Sequence, residues 1–221
     1  MSQYYDYKVA VLQCAQWLSE HEFFGSVTGT GGNVSTRVTD TRIAITPSTM
    51  AYSELTPDDI CIIDFDLNRI EGEFDPSVES GMHLGVYRNR PDVGAVVHTH
   101  QTFASVFAII NKPIPALFDE ITFNIGSRVD IVPYALSGSP ELVEQVVGKL
   151  DNRCHCYIMQ NHGALCLGQT IDKARLNAEL LEKAARIYYY ALLSGEKIRL
   201  LPDDIVSFIS DVRESLYFQK S

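Results

Sequence analysis

Residues 29–46 read GTGGNVSTRVTDTRIAIT. A P-loop needs Gly-Lys-Ser/Thr, and both it and the dinucleotide fingerprint open a helix after the glycines. Here the glycines run instead into alternating Val34, Thr36 and Val38, which predicts a strand over Asn33 to Val38, followed by a second strand from Arg42 to Thr46. A nucleotide-binding, doubly wound parallel sheet is thereby disfavoured. Working outward, Val9, Leu12, Ala15 and Trp17 to Leu18 recur near helical spacing and predict a helix from about Tyr5 to Glu20. Downstream, Ile60 to Asp64 reads as a strand, with Asp66-Leu67-Asn68 turning into Arg69-Ile70-Glu71.

Pro76-Ser77 opens a predicted helix to about Asn89, with Ser77 as cap, and Arg90-Pro91-Asp92 ends it. A strand over Gly94 to His100, a helix from Thr102 to Ile110 and a loop marked by Pro113 and Pro115 follow. Arg128 to Tyr134, Cys154 to Gln160 and Ala164 to Leu167 read as strands, and Ser139-Pro140-Glu141 starts a helix to about Leu150. The longest helix is expected from Ile171 to about Leu193, where Ala174, Ala178, Leu181, Ala185, Tyr188 and Leu192 share one face and Gly195 follows. Helices and strands alternate without a regular βαβ repeat. That predicts an α/β protein with a central, mainly antiparallel sheet flanked by helices. No repeat or linker interrupts residues 1–221, which read as a single domain.

The chain has 221 residues with 18 Lys+Arg against 28 Asp+Glu, a net charge of −10. No basic stripe appears, so a phosphate-backbone binder is disfavoured and no nucleic-acid partner is expected. No apolar stretch is long enough to span a bilayer and the N-terminus carries no secretory pattern, so no membrane partner is expected either. Five irregularly spaced cysteines read as reduced thiols of a cytoplasmic protein. A domain of this size folds without a metal staple, so a metal here reads as catalytic before structural.

The chemistry centres on Val96-Val97-His98-Thr99-His100. In a strand, residues two apart project to the same face about 6.5 Å apart, so two imidazoles can converge on one ion. His162, in Gln160-Asn161-His162-Gly163, lies directly after a strand at a glycine turn. Three imidazoles and a carboxylate make a zinc-type site with room for substrate. A solvated polar strand is the competing reading of His-x-His alone; cupin-like sites want a downstream Glu that residues 101–105 lack, and amidohydrolase barrels need a longer chain. Cys154-His155-Cys156 reads as a buried strand rather than a metal site. Glu79, at the start of the helix before the His-x-His strand, is a candidate carboxylate or a plain dipole partner. Glu79 and His83 are four apart on one helical face, a pair that could also be a solvated i,i+4 contact, and His83 is not promoted to a ligand. Neutral donors cluster in Thr30, Gly31, Gly32 and Asn33, in Ser48 and Thr49, and at Ser77. Closely spaced glycines can line an anion nest, and three such clusters without a lysine suggest a phosphate held by neutral groups.

Six collinear segments together carry a family resemblance: 29–37 GTGGNVSTR, 45–60 ITPSTMAYSELTPDDI, 75–100 DPSVESGMHLGVYRNRPDVGAVVHTH, 111–117 NKPIPAL, 132–142 VPYALSGSPEL and 159–168 MQNHGALCLG. In order and spacing they resemble the class II aldolase/adducin family, which includes fuculose-1-phosphate aldolase and ribulose-5-phosphate 4-epimerase. The resemblance implies a three-layer fold and Zn2+, with Mn2+ or Co2+ as alternatives, on His98, His100 and His162. Glu79 would complete coordination or serve as general acid/base. Thr30, Gly31, Gly32, Asn33, Ser48, Thr49 and Ser77 map to the phosphate cradle, although Ser77-Val78 replaces paired serines and Ser48-Thr49 replaces Thr-Gly. The resemblance further implies a homotetramer with Asp119, Glu120 or Tyr217 crossing into a neighbouring subunit's site; the family aldolase's tyrosine after Ile-Pro-Ala is absent, since Phe118-Asp119-Glu120 follows Leu117. The expected reaction is cleavage of a small ketose 1-phosphate to dihydroxyacetone phosphate and an aldehyde through a metal-stabilised enediolate. Epimerisation, decarboxylation or dehydration on the same metal is the alternative, and an adducin-like interaction domain is a more distant one.

Overall fold

Asn33 and His98 lie opposite one another on adjacent antiparallel strands, and a nine-stranded sheet extends to either side of that pair. The computed structural model describes residues 2–25 and 31–217. In chain order the elements are α1 (Tyr5–Glu20), β1 (Asn33–Thr39), β2 (Arg42–Ile45), β3 (Cys61–Asp64), β4 (Arg69–Glu71), α2 (Ser80–Asn89), β5 (Ala95–Thr99) and α3 (Thr102–Ile110). They continue with β6 (Ile114–Pro115), α4 (Asp119–Ile125), β7 (Arg128–Val132), α5 (Pro140–Val147), β8 (Cys156–Met159), β9 (Gly163–Gly168), α6 (Ile171–Leu193) and α7 (Asp203–Tyr217). The strand order is β4-β3-β2-β1-β5-β9-β8-β7-β6. Among these strands only β7 and β8 pair in parallel, so the mainly antiparallel sheet expected from the sequence is present.

Alternation along each strand sends side chains to two separate cores, which gives three layers. Ala95 and Val97 join Val34, Ala44 and the buried faces of α1, α3 and α6. Val96, with Ile43, Ile45 and Leu165, joins Met82, Val86 and Tyr87 of α2 and Leu142 and Val146 of α5. The helix α6 forms where the sequence places it, with Thr170 Oγ1 accepting the Lys173 N–H at its start and Gly195 in the left-handed region just past its end.

Four features differ from the sequence reading, the first being a two-residue strand, β6, within the loop expected at Pro113 and Pro115. The helix expected from Pro76-Ser77 begins at Ser80. Pro76 instead bridges to Pro47, and the Ser77 and Ser48 N–H groups donate to Thr46 O and Asp75 O, so residues 75–77 extend the sheet before the helix can start. The short α4 and the C-terminal α7 are not anticipated by the sequence reading. The first has seven residues, too few to show a period, and α7 buries only Ile209 and Arg213. No helix among the described residues is long and apolar enough to cross a membrane.

The large face of the sheet under α3 and α6 is filled by Phe107, fully buried and stacked on Tyr188 with ring centroids 5.4 Å apart. Phe107→Ala removes that ring from a closed core. The expected loss is about 3–5 kcal/mol of unfolding free energy, measured by denaturant titration.

Candidate active site and metal centre

Strand direction gathers the site at one end of the sheet. The C-terminal ends of β5, β7 and β8 and the N-terminal ends of β1 and β9 all open there. They bring His98 and His100, the loop with Ser137, His162, and Asn33 together. Among the described residues, His98, His100 and His162 each offer a ligand atom within 4.8 Å of one another. Ring centroids stand 4.6 Å apart for His98 and His100, 4.8 Å for His98 and His162, and 5.5 Å for His100 and His162.

Glu79 lies under this triad, 5 % exposed, in the turn that precedes α2. Its Oε2 is 3.2 Å from His98 Nε2 and accepts from Asn33 Nδ2 at 2.8 Å. Its Oε1 is 3.2 Å from His162 Nε2 and accepts from the Ser137 hydroxyl at 2.8 Å. Burial raises the carboxyl's pKa, but the imidazoles of His98 and His162 and the donors Asn33 and Ser137 outweigh it and hold the group down at about 2. Glu79 is therefore ionised at neutral pH. Burial, reinforced by the neighbouring imidazoles, pushes His100 down to about 3 and His162 to about 4, so both are neutral, the form in which imidazole ligates metal.

These residues fit a divalent cation. His98 Nδ1–H donates to Ala164 O at 2.9 Å, which leaves a lone pair on Nε2. That lone pair faces His100 Nε2 at 2.9 Å and the Glu79 carboxylate. Such an approach is repulsive unless a proton or a cation lies between the groups. His162 Nδ1 is buried with no hydrogen-bond partner among the described residues. Three imidazole nitrogens and a carboxylate oxygen form the donor set that zinc takes.

The backbone is built close around the triad. A Cβ on Gly163 would stand 2.4 Å from Thr99 O and 2.5 Å from His100 Cδ2, and one on Gly31 would stand 2.4 Å from Phe24 O and 3.2 Å from His100 Nδ1. Glycine is therefore required at Gly163 for the third histidine to approach the first two, and at Gly31 for its backbone to pass beside Phe24 and His100.

The remaining expected residues divide. Thr30 lies outside the described residues. Gly31, Gly32, Asn33, Ser48 and Ser77 sit at the same end of the sheet as the triad, with Thr49 in the left-handed region beside Ser48. The Ser77 Oγ accepts from Glu79 N–H at 3.3 Å within the turn rather than capping α2. Asn33 binds Glu79 through Nδ2 and His83 through Oδ1, so only its second amide hydrogen is left for an anion. Asp119, Glu120 and Tyr217 are not at the triad of their own chain. Glu120 pairs with Lys183 at 3.1 Å, and Tyr217 packs edge-on against His155, which precedes β8 where His162 follows it. His83 is not a solvated contact: it is fully buried between Ser35 and Asn33. The sequence reading passed over Ser137, whose hydroxyl holds Glu79; its only signal is its place in the 132–142 segment. His155 Nδ1–H donates to Asn124 O and the Cys156 thiol to Asn177 O, so that strand serves structure.

The family model described as Class II Aldolase and Adducin N-terminal domain matches residues 10–189. A 5-deoxy-D-ribulose 1-phosphate aldolase from Bacillus thuringiensis serovar kurstaki is 38% identical over 182 residues, 81% of this chain and 84% of its own. An L-fuculose phosphate aldolase of Escherichia coli strain K12 is 34% identical over 181 residues, 82% of this chain and 83% of its own. A solved structure of an L-fuculose 1-phosphate aldolase superposes with a TM-score of 0.87 at 32% identity, covering 96% of this chain and 97% of that one.

Two outcomes follow from the geometry. Gly163→Ala should weaken divalent-metal binding at the triad by at least about 10-fold, measured by chelator competition, because its Cβ displaces His100. Two further buried histidines lie outside the triad. Burial pushes His83 down to about 3, and burial with the Arg213 guanidinium beside it takes His155 to about 4, both from 6.5. A histidine with a depressed folded pKa adds stability above its unfolded value and loses it as pH falls toward the folded one. Unfolding free energy should therefore drop as pH falls from 6.5 toward 4, by about 1.4 kcal/mol per pH unit for each residue, with His155→Gln flattening the slope in urea titrations.

Proposed function

Because this chain belongs to the class II aldolase/adducin family, we propose that it is a metal-dependent aldolase cleaving a small ketose 1-phosphate to dihydroxyacetone phosphate and an aldehyde. The observation that carries this is the buried, ionised Glu79 held directly beneath three convergent imidazoles. A divalent cation, zinc with manganese or cobalt as alternatives, would be held by His98, His100 and His162 with Glu79 in reach, and would supply Lewis-acid stabilisation where negative charge develops on oxygen.

Glu79 supplies the proton transfer. Cleavage of the bond between C3 and C4 requires that the C4 hydroxyl lose its proton as the electron pair moves to C3. An ionised Glu79 accepts that proton and returns it to C3 of the three-carbon fragment, so that no net proton is consumed. Asn33 and Ser137 keep the carboxylate oriented throughout, and burial keeps bulk water from competing for the proton. The neutral amides and hydroxyls of Gly31, Gly32, Asn33, Ser48, Thr49 and Ser77 would take the substrate phosphate, with Thr30 assigned to the same role by its sequence motif. No lysine is required there, because backbone N–H groups and hydroxyls suffice for a bound anion.

The relatives named above act on 5-deoxyribulose 1-phosphate and fuculose phosphate, which makes short deoxyketose 1-phosphates the first substrates to assay. We read the molecule as a cytoplasmic homotetramer of single-domain chains, in which Asp119, Glu120 and Tyr217 reach a neighbour's site. Exposed Phe118, Tyr190, Leu193 and Phe208 give such an assembly apolar surface to bury.

Three measurements test the proposal. Metal-loaded protein should release dihydroxyacetone phosphate from 5-deoxyribulose 1-phosphate or fuculose 1-phosphate, in a coupled assay. His98→Ala should lose bound metal and turnover together, whereas Glu79→Gln should retain most of the metal and lose at least about 100-fold in kcat. Turnover by metal-free His98→Ala protein refutes the reading, and light scattering that shows a monomer refutes the tetramer.

A further inference from the structure

Glu79, His83 and Tyr87 recur at every fourth residue through α2 and the turn before it, while Asn33 and Ser35 share one face of β1. The two stripes interlock. The Tyr87 hydroxyl meets Ser35 Oγ at 2.8 Å, Ser35 Oγ meets His83 Nδ1 at 2.6 Å, His83 Nε2 meets Asn33 Oδ1 at 2.6 Å, and Asn33 Nδ2 reaches Glu79 Oε2 at 2.8 Å. All five side chains are buried, none more than 5 % exposed.

Donor chemistry fixes the direction of this chain. An ionised carboxylate only accepts, so Asn33 must present its NH2 to Glu79 and its oxygen to His83. His83 Nε2 must then carry the hydrogen, and its Nδ1 must accept from the Ser35 hydroxyl. With its hydrogen committed to His83, Ser35 Oγ can only accept from Tyr87. A single tautomer of a neutral His83 satisfies every link, and the chain runs one way from Tyr87 to Glu79.

We propose that His83 is a positioning residue that locks the amide of Asn33 with its nitrogen toward Glu79 and so holds the carboxylate under His98 and His162. Without the His83 N–H, Glu79 alone favours that orientation, and the buried Asn33 oxygen loses the donor that fixes the amide from the far side. Turned over, its oxygen would face the carboxylate and drive Glu79 out of line with the triad. Ser35 and Tyr87 act one step further back by holding the imidazole in the required tautomer, in the manner of the outer partners that orient metal-site residues. The proposal rests on the reading of Glu79 as the proton-transfer group, but it makes a separate claim about the geometry of the metal centre.

The test is a double-mutant cycle on the full chain, His83→Leu with Asn33→Ala, read in kcat and KM and, independently of turnover, in zinc affinity by chelator competition. His83→Leu should lower kcat about 10–100-fold and weaken zinc by about 10-fold, with KM for the ketose phosphate changed less than about threefold. His83→Gln, which keeps an N–H toward Asn33, should recover most of that loss. In the Asn33→Ala background, His83→Leu should add less than about twofold in either quantity, because it has no partner left to act through. Full additivity, or equal losses for His83→Gln and His83→Leu, overturns the proposal in favour of plain packing. If His83→Leu does not fold, Ser35→Ala and Tyr87→Phe take its place in the cycle, and additivity with Asn33→Ala is again the refuting result. Should Glu79→Gln retain turnover, the aldolase role of Glu79 fails while the zinc-affinity cycle still decides the role of His83.

Discussion

Placing Asn33 opposite His98 on the β1–β5 ladder is the constraint from which the site follows. Strand alternation then puts Ser35 opposite Val96 on the same face, so Asn33 and Ser35 point at α2 rather than into the core under α3 and α6. A one-residue slip in this register would send Val34 toward Glu79 and leave the carboxylate without its amide donor. The bridge of Pro47 to Pro76 and the bond from Ser77 N–H to Thr46 O deliver Glu79 to that face from the other side. Register and delayed helix start thus have one purpose, to bring the carboxylate of the turn before α2 to the imidazoles at the strand ends.

An acidic chain has little reason to bury another carboxylate, since removal from water costs several kcal/mol. Glu79 tolerates it because the Asn33 amide and the Ser137 hydroxyl each donate to one of its oxygens, and the imidazole nitrogens beside it leave room for a cation or proton between them. Such a network adds little net stability over a well-packed apolar cluster, and a half-made version would be worse than none. The surrounding histidines carry the opposite cost: burial disfavours their charged forms, which keeps His100 and His162 available as neutral ligands. The overall charge of −10 therefore says nothing about the site. Locally, one ionised carboxylate sits against two of three convergent imidazoles, an arrangement that a divalent cation would complete.

The sequence discloses those parts of the protein whose signal is local. The spacing of His98 and His100, the glycine after His162 and the periodic face of α6 each report a short-range geometry, and the structure reproduces them. Helix starts are less legible, because Pro76-Ser77 satisfies every local rule for a helix opening and loses to a long-range pairing with Pro47. The seven-residue α4 is too short to express a period, and α7 hides most of its pattern by burying only two side chains. Ser137 is invisible for a different reason: a serine in a loop carries no spacing signal, and its role depends wholly on where β7 ends.

His83 shows how a correct local observation can lead to the wrong environment. The spacing of Glu79 and His83 is that of a solvated pair on a helix surface, and nothing within α2 contradicts it. The distinguishing information lies in carrying the same period on to Tyr87 and in setting that stripe beside the alternation of Asn33 and Ser35. Each pattern alone is weak, yet polar residues repeating at four on a helix and at two on a strand can satisfy one another only if the two faces meet. Donor and acceptor counting then does what periodicity cannot. It assigns a direction to each bond and shows that the chain ends on an acceptor. Buried polar residues in matching periods on two elements therefore identify a packed, directional network, and the group at its accepting end is where chemistry is to be sought.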